Sequence, residues 1–141
     1  MAGVRVLVFR VADRLCGADV RAVREILPRQ VATRVPGADG AVAGLINVRG
    51  RLVPLVEGSR ALGHSTDGGA RTIVLLEVRE QMVGFTVDEV IDLVSVADDD
   101  LSDRDDLPGV DPRLVRAVAR RGDDTFVLLD LEALLTPILS V

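Results

Sequence analysis

The sequence predicts an all-β protein: two small β-barrels packed together, with a few short helices. Three observations carry this reading. Apolar residues come in short runs rich in Val, Leu and Ile, separated by polar turns, as strands of a small barrel require. The core has to be aliphatic, because the 141 residues include three Phe, no Tyr and no Trp. Finally, the chain repeats itself. Sliding it by 67 residues lays Val6–Pro28 on Ile73–Ser95 without a gap, and 13 of those 23 positions match as apolar or Gly. Two similar halves, about 1–68 and 69–141, are expected to give two barrels, with strands free to exchange across that boundary.

Each copy opens with a hairpin. Val6–Val11 turns at Ala12-Asp13-Arg14 into Leu15–Ala18, and Ile73–Val78 turns at Arg79-Glu80-Gln81 into Met82–Phe85. Gly17 and Gly84 fall inside strand patterns, where glycine marks a bend or a close backbone approach. A third strand follows in each copy, around Val23–Leu27 and Val90–Val94. A second hairpin comes next: Leu45–Val56 around Arg49-Gly50, and Ala117–Leu129 around Gly122-Asp123-Asp124. Short helices close the halves at Ser59–Leu62 and Leu131–Leu135. Gly63–Ala70 and the acidic Asp98–Pro112 read as loops, and Pro36-Gly37 as a break before a helical turn. Pro54 within a strand predicts an edge, a bulge or a strand end.

Composition removes several function classes. At 48% hydrophobic and 28% charged the chain is globular material. A net charge of −5 disfavours nucleic acid and anionic membranes as partners. No apolar run reaches the roughly 20 residues of a spanning helix, so no membrane insertion is expected. Met1-Ala2-Gly3-Val4-Arg5 enters a strand pattern at once, which predicts a cytoplasmic protein without a signal peptide.

Catalytic chemistry finds little support. The single histidine, His64, lies among Gly, Ser and Thr residues that would not hold a general base in place. Cys16 aligns with Val83 and reads as a packing residue. The run Asp98–Asp106 invites a calcium reading, but neither register supplies the glycine and glutamate of an EF-hand loop. Glu57, Glu77 and Asp130 follow strand patterns without a sign that any two converge. No catalytic residue, metal ligand or cofactor site is assigned.

The most informative stretch is Gly44–Val56. Gly50 accepts the positive φ of a tight hairpin turn, and Arg49 beside it presents a permanently charged planar fork. With Glu25 it would form a charged couple that governs orientation at a binding rim, or else two solvated surface charges. The repeated scaffold also carries opposite charges, Arg10 falling on Glu77 and Arg21 on Asp88. That pattern fits a connector with two faces and equally a drifting solvated surface.

Val23-Arg24-Glu25-Ile26, then Gly44-Leu45-Ile46-Asn47-Val48-Arg49-Gly50 and Val53-Pro54-Leu55-Val56-Glu57, resembles the CheW family of chemotaxis coupling proteins. Val83-Gly84-Phe85 through Val90, and Leu128 through Leu135, look like the second half of that family. The resemblance implies two SH3-like five-stranded barrels and no catalytic activity. It implies an adaptor between the cytoplasmic tip of a methyl-accepting chemoreceptor and a CheA-type histidine kinase. By motif it places Glu25, Arg49, Val23 and Asn47 in the receptor-facing region and Thr72 beside the same groove, and it assigns no kinase-binding residue. Glu57-Gly58-Ser59 departs from the Asp-Leu-Arg common in the family, which bears on the usual barrel-end contact and points to the alternative of a divergent member in a non-flagellar pathway; a further alternative is a small-molecule or cation sensor that uses the Asp98–Asp106 loop.

Overall fold

The computed structural model describes residues 3–64, 69–102, 111–121 and 123–139. Eleven strands and two α-helices follow one another as β1 (Gly3–Val11), β2 (Arg14–Asp19), β3 (Val23–Pro28), β4 (Val42–Val48), β5 (Arg51–Val56), α1 (Gly58–Ala61), β6 (Thr72–Val78), β7 (Gln81–Val87), β8 (Glu89–Ala97), β9 (Leu101–Ser102), β10 (Val115–Arg121), β11 (Asp124–Leu129) and α2 (Leu131–Leu139). They form two sheets, β8-β1-β2-β11-β10-β9 and β3-β6-β7-β5-β4. The second sheet is continuous in sequence, so it is an inserted barrel. The first, the terminal barrel, is made from the segments on either side of it.

The sheets therefore do not coincide with the sequence halves. The first hairpin of each half is completed by the later strands of the other: β1–β2 by β8, β10 and β11, and β6–β7 by β3, β4 and β5. The two sheets nevertheless share one register. Leu55 opposes Gly84 in the parallel pairing of β5 with β7, and Leu128 opposes Gly17 in that of β11 with β2. Irregularities repeat as well. Arg24 and Ile91 are the unpaired residues of matching bulges in β3 and β8, and Ala43 and Arg116 of matching bulges in β4 and β10.

Barrel closure follows the same plan twice. Past β8, the chain makes a 3-10 turn at Asp98–Asp100 and pairs onto β10 through Leu101 and Ser102. Past β3, Thr33 exchanges two 2.8 Å backbone hydrogen bonds with Leu45 of β4. Gly44 makes this possible: its φ is +147°, and a Cβ there would lie 2.2 Å from the Thr33 carbonyl oxygen.

Packing explains the run-like strands. Val6 and Val8 of β1 face the interior of the terminal barrel, while Leu7, Phe9 and Val11 face the seam between the barrels. In β6, Ile73 and Leu75 fill the inserted barrel, and Val74, Leu76 and Val78 face the seam. Strands buried on both faces need apolar residues at consecutive positions. Phe9 and Phe85 meet in the seam with ring centroids 6.1 Å apart, edge to face.

Several expectations need correction. The hairpin turns use two residues, Ala12-Asp13 and Arg79-Glu80, all four with positive φ; Arg14 and Gln81 already belong to β2 and β7. Segment 36–41 makes turns without a helical turn. Asp98–Pro112 is not a plain loop at its start, where the 3-10 turn and β9 lie; its residues 103–110, like Gly122 and the linker residues 65–68, fall outside the described residues. Pro54 sits in an internal strand, one position short of where the β4 bulge and the pairing with β7 begin. The Leu45 N–H and C=O are spent on Thr33, and pairing with β7 begins only at Leu55, so the ladder asks no N–H of residue 54. Helix α1 begins a residue early, at Gly58, and α2 runs on to Leu139.

Candidate functional site

β3 and β4 are the two edges of the inserted sheet. Between them lies the tip of the β4–β5 hairpin. Arg49 (φ +51°) and Gly50 (φ +84°) occupy the two central positions of a primed turn. Asn47 sets this turn, its Oδ1 accepting the Gly50 N–H at 2.8 Å. A left-handed arginine is uncommon, and the site retains it where Asn would sit with less strain.

Arg49 reaches across to β3. Its Nη1 lies 2.6 Å from Oε1 of Glu25, and its Nη2 donates to Oε2 at 2.6 Å. This is a fork-to-fork pair, which fixes orientation as well as proximity. The hydrogen bond from Arg49 holds the Glu25 carboxyl below the usual carboxylate range, and Glu25 in turn raises the Arg49 guanidinium. The arginine stays 71% exposed and the glutamate 29%, so the outer edge of the fork faces solvent.

Of the five residues expected at this region, the structure brings Glu25, Arg49 and Asn47 together. Asn47 serves the turn. Val23 lies two residues from Glu25 on β3 and packs onto the seam. Thr72 stands opposite Pro28, at the far end of the β3–β6 ladder, three register steps from the Leu75 that opposes Glu25. That separation is about 10 Å along the strand.

A second ion pair was not legible in the sequence. Glu57 is only 5% exposed, yet Arg29 binds both of its carboxylate oxygens, and Thr86 donates its hydroxyl to Oε2 at 3.2 Å. Arg29 also donates to the Ala70 carbonyl at 3.2 Å. Thr86 Oγ1 also accepts the N–H of the residue after Glu57, Gly58, at 3.0 Å. Gly58 is needed there, since a Cβ would lie 2.2 Å from the Thr86 carbonyl oxygen. The departure at Glu57-Gly58-Ser59 is thus a local solution that seats α1 directly on β7. Asp130, the counterpart of Glu57, caps α2 instead, accepting the Ala133 N–H at 3.1 Å.

The opposite charges of the repeat meet partners within the chain, most of them at its solvated surface. Arg10 pairs with Glu89 at 3.1 Å, and Glu77 with Arg24 at 3.2 Å. Asp19 binds Arg21 at 2.7 Å, and Asp88 accepts the Ala12 N–H at 3.0 Å. Cys16 is buried in the seam, and burial pushes its thiol up to about 12. His64 follows α1, its backbone N–H donating to the Ser59 carbonyl. Among the described residues no three His, Cys, Asp or Glu side chains gather to hold a metal ion. No helix among them is long and apolar enough to cross a membrane.

Two β-barrels on one aliphatic seam, with a fixed charged fork at a hairpin tip, define the class: an all-β, two-barrel module. Comparison with known proteins names the family. The CheW-like domain matches residues 5–138, and the chain belongs to this family of chemotaxis adaptor and scaffold proteins. It is 35% identical over 107 residues to the chemotaxis protein CheW of Rhizobium meliloti, covering 74% of this chain and 69% of that one. It is 33% identical over 84 residues to the protein PilI of Pseudomonas aeruginosa, covering 58% of this chain and 47% of that one. The crystal structure of the scaffolding protein TtCheW from Thermoanaerobacter tengcongensis has the same fold, with a TM-score of 0.85 at 23% identity, covering 95% and 93% of the two chains.

Proposed function

We propose that the chain is a non-catalytic cytoplasmic adaptor that couples the tips of chemoreceptors to a CheA-type histidine kinase. The observation that carries this reading is the Glu25–Arg49 fork, held by a capped turn and left exposed at its outer edge. A charged pair oriented in this way selects a partner's geometry and speeds encounter more than it adds affinity. Glu25 and Arg49 are the receptor-binding pair of this proposal. Asn47 positions Arg49 through the turn, and Val23 and Thr72 border the region.

A pull-down of the receptor's cytoplasmic fragment and of the kinase from the source organism tests the reading. The chain should retain both, and retention of neither would overturn it. Arg49→Glu places two carboxylates against each other and should release the receptor fragment while the circular dichroism spectrum stays unchanged. Normal receptor binding by that variant would remove the site from the proposal.

The likeness to PilI supports a second reading, the same adaptor chemistry in a pathway whose output is not flagellar. Deletion of the gene, scored separately for swimming and for surface motility, separates the two.

A further inference from the structure

Three ion pairs converge on one strand. Among the described residues, every ion pair of the inserted barrel has one end on β3 or on Arg29, the residue that follows it. Arg24 reaches Glu77 of β6 at 3.2 Å, Glu25 takes Arg49 of the β4–β5 tip at 2.6 Å, and Arg29 grips Glu57 at the entry to α1. The pairs run to three different elements, so together they fasten β3 along its length. Apolar burial contributes little. β3 is an edge strand whose ladder is with β6, and the bulge at Arg24 interrupts that ladder. None of its six residues is buried, and Ile26 is 46% exposed. Val23 and Leu27, both half-buried, supply its contacts with the seam and with the barrel interior.

β8, the equivalent strand of the terminal barrel, is anchored in another way. It too is an edge strand, laddered to β1 and carrying the matching bulge. The 67-residue repeat lays Leu27 on Val94 and Arg29 on Val96. Those valines are 6% and 2% exposed and belong to the core of the terminal barrel. One copy of the strand is thus held by burial and the other by charge. The difference matters for stability, because exposed ion pairs contribute little each and weaken in salt, whereas buried side chains do not. A strand with few buried apolar contacts belongs to the part of a structure that opens first.

We infer that β3 is an electrostatic clasp, which opens from the inserted barrel as a unit while β6 and β7 stay folded. Opening carries Glu25 away from Arg49, so only the clasped form presents the charged fork. Resting on the adaptor reading above, a receptor tip that takes the fork binds the clasped form and holds it shut. Salt acts on the clasp mainly through Arg24–Glu77 and Glu25–Arg49, since the Arg29–Glu57 pair is shielded from solvent.

The test is native-state amide exchange on the full chain, read by NMR in about 0.02 M and about 1 M sodium chloride. In dilute salt the β3 amides bonded to β6 should be protected at least about tenfold less than the β8 amides bonded to β1. Concentrated salt should lower β3 protection by about threefold or more and leave β8 and the β6–β7 hairpin unchanged. Glu25→Gln should lower it by about the same factor in dilute salt and shrink the salt effect. Added receptor fragment should raise β3 protection by about tenfold or more. Equal protection of β3 and β8 in both salts overturns the clasp, as does exchange of β3 in step with β6 and β7. A fragment that binds and leaves β3 protection unchanged overturns the link between clasp and partner. A fragment that fails to bind overturns the adaptor reading, while the exchange of the free chain still decides the clasp.

Discussion

Arg29 closes the far end of β3 by gripping a glutamate that has almost no access to water: Glu57 sits 5% exposed under the guanidinium, with Thr86 completing its shell. A carboxylate in that position depends on its cation. Removing Arg29 leaves it uncompensated. Arg29→Ala should therefore destabilise the protein by about 3 kcal/mol, while the double variant Arg29→Met/Glu57→Leu should recover much of the loss. Urea unfolding followed by circular dichroism measures both, and a harmless Arg29→Ala would show that water already solvates Glu57.

The two interior glycines, equivalent in the repeat, are not equally tolerant. A Cβ on Gly17 would lie 2.4 Å from Cγ1 of Val6 and 2.9 Å from the Phe126 ring. On Gly84 it would meet the mobile end of Leu55 at 3.0 Å. Gly17→Ala should cost about 2 kcal/mol by overpacking, and Gly84→Ala about 1 kcal/mol or less. Equal melting temperatures for the two variants would contradict this ranking.

Gly44→Ala tests barrel closure. The substituted residue would need a left-handed backbone and would strike the Thr33 carbonyl, so the two hydrogen bonds to Leu45 should open. A loss of at least about 2 kcal/mol is expected. Faster amide exchange at Thr33 and Leu45, with β6 and β7 unaffected, would locate the damage.

Cys16 should be inert in the native state and reactive once unfolded. Its thiol, pushed up to about 12 by burial, stays protonated when an unfolded thiol ionises. Stability therefore falls as pH climbs from the ordinary thiol range towards 12, because the unfolded chain releases a proton that the native chain keeps. Labelling with a thiol reagent at pH 8 should be absent in buffer and complete in urea.

Acid acts in the opposite sense on Glu25, Asp19 and Asp111. Hydrogen bonds from Arg49, Arg21 and Arg113 hold these carboxyls below their ordinary range. Their contribution is complete above the unfolded carboxylate pKa and is lost as pH falls through the folded values. Glu25→Gln should flatten part of the acid limb of a stability–pH curve and leave the alkaline limb unchanged.

The strands and their turns were legible because they are local. Val6-Leu7-Val8-Phe9 and Ile73-Val74-Leu75-Leu76 announce two-sided burial by their composition, and Arg49-Gly50 announces its turn. Which strand pairs with which was not legible. Nothing near Val23–Pro28 says that its neighbour is β6 and not β2, because that choice is made by packing across the seam. Glu57 looked like any strand-end carboxylate; its partner Arg29 lies 28 residues away and meets it only when β3 and α1 are both in place. Glu25 and Arg49, 24 residues apart, were singled out by motif, and the fold brings them into contact. Thr72 was grouped with them by resemblance, and the fold sets it three register steps along β6 from the Leu75 that opposes Glu25.

The four paired bulges act as phase correctors. Side chains on a strand alternate faces, so one unpaired residue shifts everything beyond it from inside to outside. Ala43 lets Gly44 and Ile46 arrive buried after the half-buried Val42, and Arg116 does the same service in β10. At such positions chain length matters more than side-chain identity. Ala43 can be exchanged for another small residue, whereas its deletion would leave Val42 and Gly44 paired with Val56 and Leu55 and take out the bend and extra twist that the bulge gives β4. Homologues of this chain should vary freely in residue type at these four points and resist gaining or losing a residue there.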